Sequence, residues 1–254
     1  MRYLAHLSAL SFLCLFGSQH VDAMDAVHAG AGIPVGEAGS AGIGSPRADR
    51  AGRCPGLAVE IVASSVNEHA LACSAAAVTL RLLDRCNIGL KRLLRVEIME
   101  EVRHPFSGPI LGMFDTAQER VLIAREASVP ALIKDTPYAD LPLRDFYSSL
   151  VVHEIVHGVM RQNFRRKPTT HAAHEYPAYA LQLESLPADV REAFLRSFDP
   201  AALRSNSLFS DTVLFFDPYF FAARAYHHYR AAPDVCAQLA GLLSDDVAFI
   251  APPM

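Results

Sequence analysis

The chain of 254 residues is 51% hydrophobic and carries 23 Lys and Arg against 27 Asp and Glu, a formal net charge of −4. So slight an acidity gives no electrostatic footprint for nucleic acid or for an anionic membrane, and neither is expected as a partner. The length suffices for one ordinary domain with a substantial core.

Met1 to Ala23 has the grammar of a secretory signal peptide. Arg2 makes a short positive region, Leu4 to Phe16 an apolar one, and Val21-Asp22-Ala23 a small-residue cleavage site. The apolar run is shorter than the roughly 20 residues of a membrane span. Cys14 follows bulky Phe12 and Leu13, which argues against a lipid anchor. The protein is therefore expected to be exported, secreted or periplasmic, with no stable membrane anchor after cleavage. Met24 to Arg53 is rich in Ala and Gly and reads as a flexible tether. Cys54 to Met254 reads as the single folded domain.

Four cysteines remain after processing, Cys54, Cys73, Cys86 and Cys236, and an even count in an exported chain favours two disulfides. Glu68 to Arg85 reads as a helix, which would hold Cys73 and Cys86 roughly 20 Å apart at 1.5 Å per residue. The preceding strand, Leu57 to Ala63, should run antiparallel to it and bring Cys54 near Cys86. The expected pairs are thus Cys54–Cys86 and Cys73–Cys236. Leu94 to Val102 alternates as a strand, and Ile110 to Phe114 and Arg120 to Ala124 flank the polar turn Asp115 to Glu119 as a hairpin. Gly108 to Phe114 or Glu119 to Ala124 is the candidate edge strand, to which an extended ligand can add by backbone hydrogen bonds.

The next apolar run, Leu143 to Met160, contains His153-Glu154-Ile155-Val156-His157, an H-E-x-x-H sequence. On a helix, residues four apart share a face with Cβ atoms roughly 5–6 Å apart, so both imidazoles can reach one ion. Glu154 then stands beside the ion rather than on it, placed to take a proton from metal-bound water. Asp140 offers an N-cap and Pro142 suits a first turn. Phe146, Leu150, His153, His157, Met160 and Phe164 recur at helical spacing, which puts the histidines on the inward stripe. A hydrogen-bonded core pair is the bland alternative; a metal is the more economical partner for buried imidazoles beside a carboxylate.

A catalytic zinc takes three protein ligands and an open position. The metzincin continuation fails, because Met160 and Asn163 stand where its glycine and third histidine belong. After the polar stretch Arg165 to Thr170, whose Arg165, Arg166 and Lys167 read as a solvated helix end, His171 to Gln182 looks like a second helix. It carries Glu175 back toward the same ion, with His171 and His174 as alternative ligands. Over about Phe146 to Gln182 the chain resembles the gluzincin group of zinc metallopeptidases, in which an H-E-x-x-H helix is followed by a helix bearing a glutamate ligand. The resemblance implies zinc on His153, His157 and Glu175, with Glu154 as general base. It departs at Tyr179, where better-known members have an aspartate that holds a zinc histidine; Tyr179, Gln182 or a backbone carbonyl would have to serve instead.

Pro187 to Phe198 reads as an amphipathic helix with Val190, Phe194, Leu195 and Phe198 inward. Leu208 to Phe216 is strongly apolar, Pro218 opens a further helix, and Asp234 to Leu243 gives a last one. Among Tyr219, Tyr226, His227 and His228, Tyr226 and His227 are the expected donors to a tetrahedral oxyanion. The expected fold is α+β and zincin-like: a small twisted sheet packed on the H-E-x-x-H helix, with a mainly helical C-terminal part. The expected function is an exported zinc metallopeptidase acting on peptides or proteins. The alternatives are a non-catalytic exported binding or scaffolding module with a zincin fold, and an amidase acting on cell-wall peptides.

Overall fold

A computed structural model describes residues 50–104, 108–165, 170–204 and 209–244. The segment read as a signal peptide and most of the stretch read as a tether lie outside the described residues. Five strands form the main sheet: β1 (Arg50–Arg53), β2 (Val59–Ala63), β3 (Leu94–Met99), β6 (Gly112–Asp115) and β7 (Arg120–Ala124), in the order β1-β2-β3-β7-β6. β1 therefore takes the last four residues of the stretch read as tether into the domain. β2, β3 and β7 run parallel, while β1 and β6 are antiparallel to their neighbours. The β3 segment stops at Met99, and Val102–His104 (β4) pairs instead with Gly108–Ile110 (β5) in a separate two-stranded sheet. Of the two candidate edges, the first holds: β6 is an edge of the main sheet. The second does not, because β7 lies between β3 and β6.

Strand alternation separates the two faces of the sheet. Val59, Ile61, Leu94, Val96, Ile98, Val121 and Ile123 are buried beneath helices. On the other face Arg95 reaches Glu60 at 3.0 Å and Glu97 at 2.6 Å, and Arg120 reaches Glu97 at 2.6 Å and Asp115 at 3.2 Å. Partial burial alone would raise the Glu97 carboxyl, but hydrogen bonds from Arg95 and Arg120 hold it below the usual carboxylate range.

Helix α1 (Val66–Asp84) crosses over between the parallel pair β2 and β3. It opens on Ser65, whose side chain accepts from the Glu68 N–H at 3.1 Å. After a short helix α2 (Val129–Ile133), α3 (Leu143–Asn163) carries the H-E-x-x-H sequence. Pro142, not Asp140, occupies its N-cap, with no side-chain cap. The expected inward stripe proves too narrow. Val151, Val152, Ile155, Val156 and Val159 are buried as well, since α3 lies between α1 and the sheet on one side and α4 (His171–Ser185) on the other. Thr170 and Asp211 cap α4 by accepting from Ala173 N–H at 3.3 Å and Ala172 N–H at 2.7 Å.

The remaining described helices are α5 (Ala188–Leu195), α6 (Pro200–Leu203), α7 (Asp211–Phe216), α8 (Pro218–Ala231) and α9 (Val235–Ser244). Val190 and Phe194 are buried and Leu195 and Phe198 pack against the same core, as their spacing implied. α8 packs along α4. Among the described residues no helix is long and apolar enough to cross a membrane. The architecture is α+β, a small mixed sheet with helices and a helical C-terminal part.

The disulfides are Cys54–Cys73 and Cys86–Cys236, not the pairs expected from the sequence. The expectation let the strand run the whole length of the helix. β2 has only five residues, about 16 Å at 3.3 Å each, against about 28 Å for the 19-residue α1. The chain then turns back, with Cys54 N–H bonded to Val59 O at 2.9 Å. Cys54 is thereby left opposite the middle of α1, where Cys73 sits, and Cys86 beyond its end is met by α9. Two disulfides accord with an oxidising, exported environment.

Candidate metal centre

His153 and His157 project from one face of α3, and Glu175 comes from the antiparallel α4. His153 Nε2 lies 3.1 Å from His157 Nε2 and 3.3 Å from Glu175 Oε2, while His157 Nε2 lies 3.4 Å from Glu175 Oε1. Donors 2.0–2.1 Å from a tetrahedral ion stand about 3.3–3.4 Å from one another, so these three occupy the corners of one tetrahedral face. Among the described residues this is the group of His, Cys, Asp and Glu side chains that can hold an ion. Glu175 is thus the third member. Of the alternatives, His171 lies against Phe215, with ring centroids 5.9 Å apart, and His174 against Phe164 at 5.1 Å.

The electrostatics fit the same conclusion. His153 is 1% exposed and Glu175 5%. Burial lowers the pKa of both histidines to about 4, so at neutral pH both rings present a lone pair. Burial, and then the charge of Glu175, pushes the Glu154 carboxyl well above the usual carboxylate range, and burial raises Glu175 as well. At neutral pH the two imidazoles are therefore uncharged, and burial disfavours the anionic form of both neighbouring carboxyls. A divalent cation at the triangle would favour both ionised carboxylates, inverting the local pKa pattern.

His153 Nδ1 lies 3.0 Å from Gln182 Oε1, two turns further along α4 than Glu175. A carbonyl oxygen there requires the proton on Nδ1 and leaves Nε2 to face Glu175 and His157. Tyr179 meets the same ring edge-on, with centroids 4.6 Å apart. Glu154 is fully buried on the flank of α3 that faces β6.

A family profile of a group described as a family of unknown function, DUF6639, matches residues 59–252. The chain belongs to the DUF6639 family. No curated protein and no solved structure matches it. The DUF6639 span contains all three donors, Glu154 and Gln182.

The two late candidates are not brought to this centre. Tyr226 lies under the guanidinium of Arg191, 5.2 Å from its ring centroid, and Arg191 hydrogen-bonds the carbonyls of Leu183, Glu184 and Leu186. That is the far end of α4, about 12 Å along the helix from Glu175. His227 adjoins Tyr226, with ring centroids 6.1 Å apart, and burial and the charge of Arg204 lower its pKa. His228 lies 2.8 Å from the Tyr176 hydroxyl, and Tyr219 stacks edge-on to Tyr138 at 5.5 Å. α8, which carries Tyr219, Tyr226, His227 and His228, packs along α4. Two residues at the centre were not among the sequence candidates. Ser149, one turn before His153, was readable as a neighbour on the same helix face. Gly112 left no signal, because nothing in the sequence says which strand faces Glu154.

Proposed function

We propose that this domain is an exported zinc-dependent metallopeptidase of the gluzincin kind, with a zincin-like fold, acting on peptides or proteins. One observation carries the reading: three donors on the face of a tetrahedron, His153 and Glu175 buried and His157 half-buried, with a second, fully buried carboxyl, Glu154, next to the triangle and outside it. A purely structural zinc gains nothing from a carboxylate that does not ligate it. His153, His157 and Glu175 would hold the ion. A zinc held there would supply Lewis acidity toward a water and toward the scissile carbonyl. Glu154 would take the proton of the attacking water and pass it to the departing amine. The outer edge of β6, beside Glu154, offers backbone groups to an extended peptide.

Metal analysis of the purified mature domain by mass spectrometry tests the reading, beside His157→Ala and Glu175→Ala. About one zinc per chain, reduced in both variants, supports the ligand set. Cleavage of a peptide library that disappears in Glu154→Ala while zinc is retained supports the enzyme. A domain that takes up no zinc from a buffered solution overturns both. A second reading draws on the closure of the centre, where Glu154 is 0% and His153 1% exposed. A non-catalytic module with a structural metal would keep its zinc and cleave no member of the library.

A further inference from the structure

We propose that Gly112 is a positioning residue: the side chain it lacks is the space that holds the Glu154 carboxylate beside the metal-binding triangle. A Cβ built on Gly112 would lie 2.6 Å from Glu154 Oε1, 2.7 Å from Cδ and 2.8 Å from Cγ. Side chains do not approach so closely in a packed interior, and the clash involves the whole carboxyl end, not only its tip. The backbone does not ask for glycine here. The positive-φ glycines of the described residues are Gly56 and Gly108, and Gly112 pairs regularly with Ile123 in the β6–β7 ladder. Glycine inside a strand weakens it and marks a close approach, and what approaches is a fully buried carboxyl.

Edge strand and base are therefore coupled. Wherever β6 sits, its bare Cα decides how far the Glu154 carboxyl can swing, since that side chain is enclosed on α3. The three atoms nearest a Cβ at 112 all belong to Glu154 and none to a donor of the triangle. A side chain at 112 should thus displace the base and spare the metal. The catalytic part of this inference rests on the peptidase reading; the packing part does not.

The test is a cycle of wild type, Gly112→Ala, Glu154→Ala and the double variant, each zinc-loaded, with zinc content and thermal unfolding midpoint measured. Gly112→Ala is expected to keep about one zinc per chain and to lower the midpoint, and that drop is expected to vanish when Glu154 is Ala. An equal drop in both backgrounds, or loss of zinc from Gly112→Ala, overturns the proposal. If Gly112→Ala does not fold, the double variant and Gly112→Ala/Glu154→Asp are expected to restore folding, and failure of both overturns it. On a peptide cleaved by wild type, kcat of Gly112→Ala should fall about a hundredfold with KM held, the scale of a misplacement of about 1 Å. Should wild type cleave no peptide, the peptidase reading fails while the unfolding cycle still decides the role of Gly112.

Discussion

Ser149 fixes which end of the Gln182 amide faces His153. Its hydroxyl donates to the Phe146 carbonyl at 2.7 Å, which leaves a lone pair for Gln182 Nε2 at a long 3.5 Å. The amide nitrogen is therefore turned to Ser149 and the oxygen to His153 Nδ1. Replacing a partner that orients a ligating histidine typically costs 10–100-fold in metal affinity. Gln182→Leu should weaken zinc binding by about that factor in competition with a chromophoric chelator, and Gln182→Glu should retain it. Unchanged affinity in Gln182→Leu would assign ring orientation to packing against Tyr179.

The metal-free domain should lose stability as pH rises above 6.5. His153 and His157 have depressed folded pKa values of about 4, so their contribution is complete above the unfolded value of 6.5 and is lost as pH falls toward 4. Glu154 and Glu175 are raised from 4.5, so theirs is complete below 4.5 and is lost as pH rises through their folded values. Between 4.5 and 6.5 the two trends oppose each other. Above 6.5 the loss that remains is that of Glu154, the carboxyl pushed well above its usual range, at most about 1.4 kcal/mol per pH unit. Unfolding midpoints of the chelator-stripped domain should fall from pH 6.5 to 8, and those of the zinc-loaded domain should not. A flat metal-free profile would remove Glu154 as a high-pKa group.

Two disulfides of very different span should differ in what they contribute. The chain-entropy relation gives about 3 kcal/mol for the loop of 19 residues closed by Cys54–Cys73 and about 5 kcal/mol for the loop of 150 closed by Cys86–Cys236. Cys86→Ser/Cys236→Ser should therefore lower the denaturant midpoint more than Cys54→Ser/Cys73→Ser, by chemical unfolding of the oxidised proteins. The reverse order would show that the β1–α1 staple does more than close a loop. Peptide mapping of the native protein should recover these two pairs.

The parts of this fold that local chemistry dictates were legible in the residues. α3, α4 and the β6–β7 hairpin follow from helical spacing around His153 and His157, from the helix leading out of Thr170, and from the polar turn after Phe114. The donor set followed too, because four-residue spacing and an antiparallel return are local constraints. What failed depended on relative lengths and on packing at a distance. The cysteine pairs needed the reach of β2 against α1, and the placement of Tyr226 and His227 apart from the three donors needed the packing of α8 along α4. That Gln182 rather than Tyr179 orients His153 needed the pitch of α4 against α3. Gly112 is the extreme case, since its reason for being glycine belongs to Glu154, far away in the chain.

Gly158 sets the distance between α3 and the sheet. A Cβ there would lie 2.7 Å from Leu94 Cδ1 and 2.9 Å from Cδ2, and Leu94 is fully buried in β3. Overpacking of this kind costs about 1–3 kcal/mol. Gly158→Ala should be destabilised within that range. Leu94→Ala alone should cost about 2–5 kcal/mol by leaving a cavity. The double variant should cost less than the sum of the two, because the new methyl enters the space that Leu94 vacates. Gly158 follows His157 directly, so pushing α3 off the sheet also moves one of the three side chains that could hold an ion, and metal affinity should fall in Gly158→Ala and recover in the double variant. Chelator competition on the three proteins reads this out. Additive stabilities with unchanged affinity would mean that α3 holds its place by its contacts with α1 and α4, and that the sheet contributes little to the geometry of the centre.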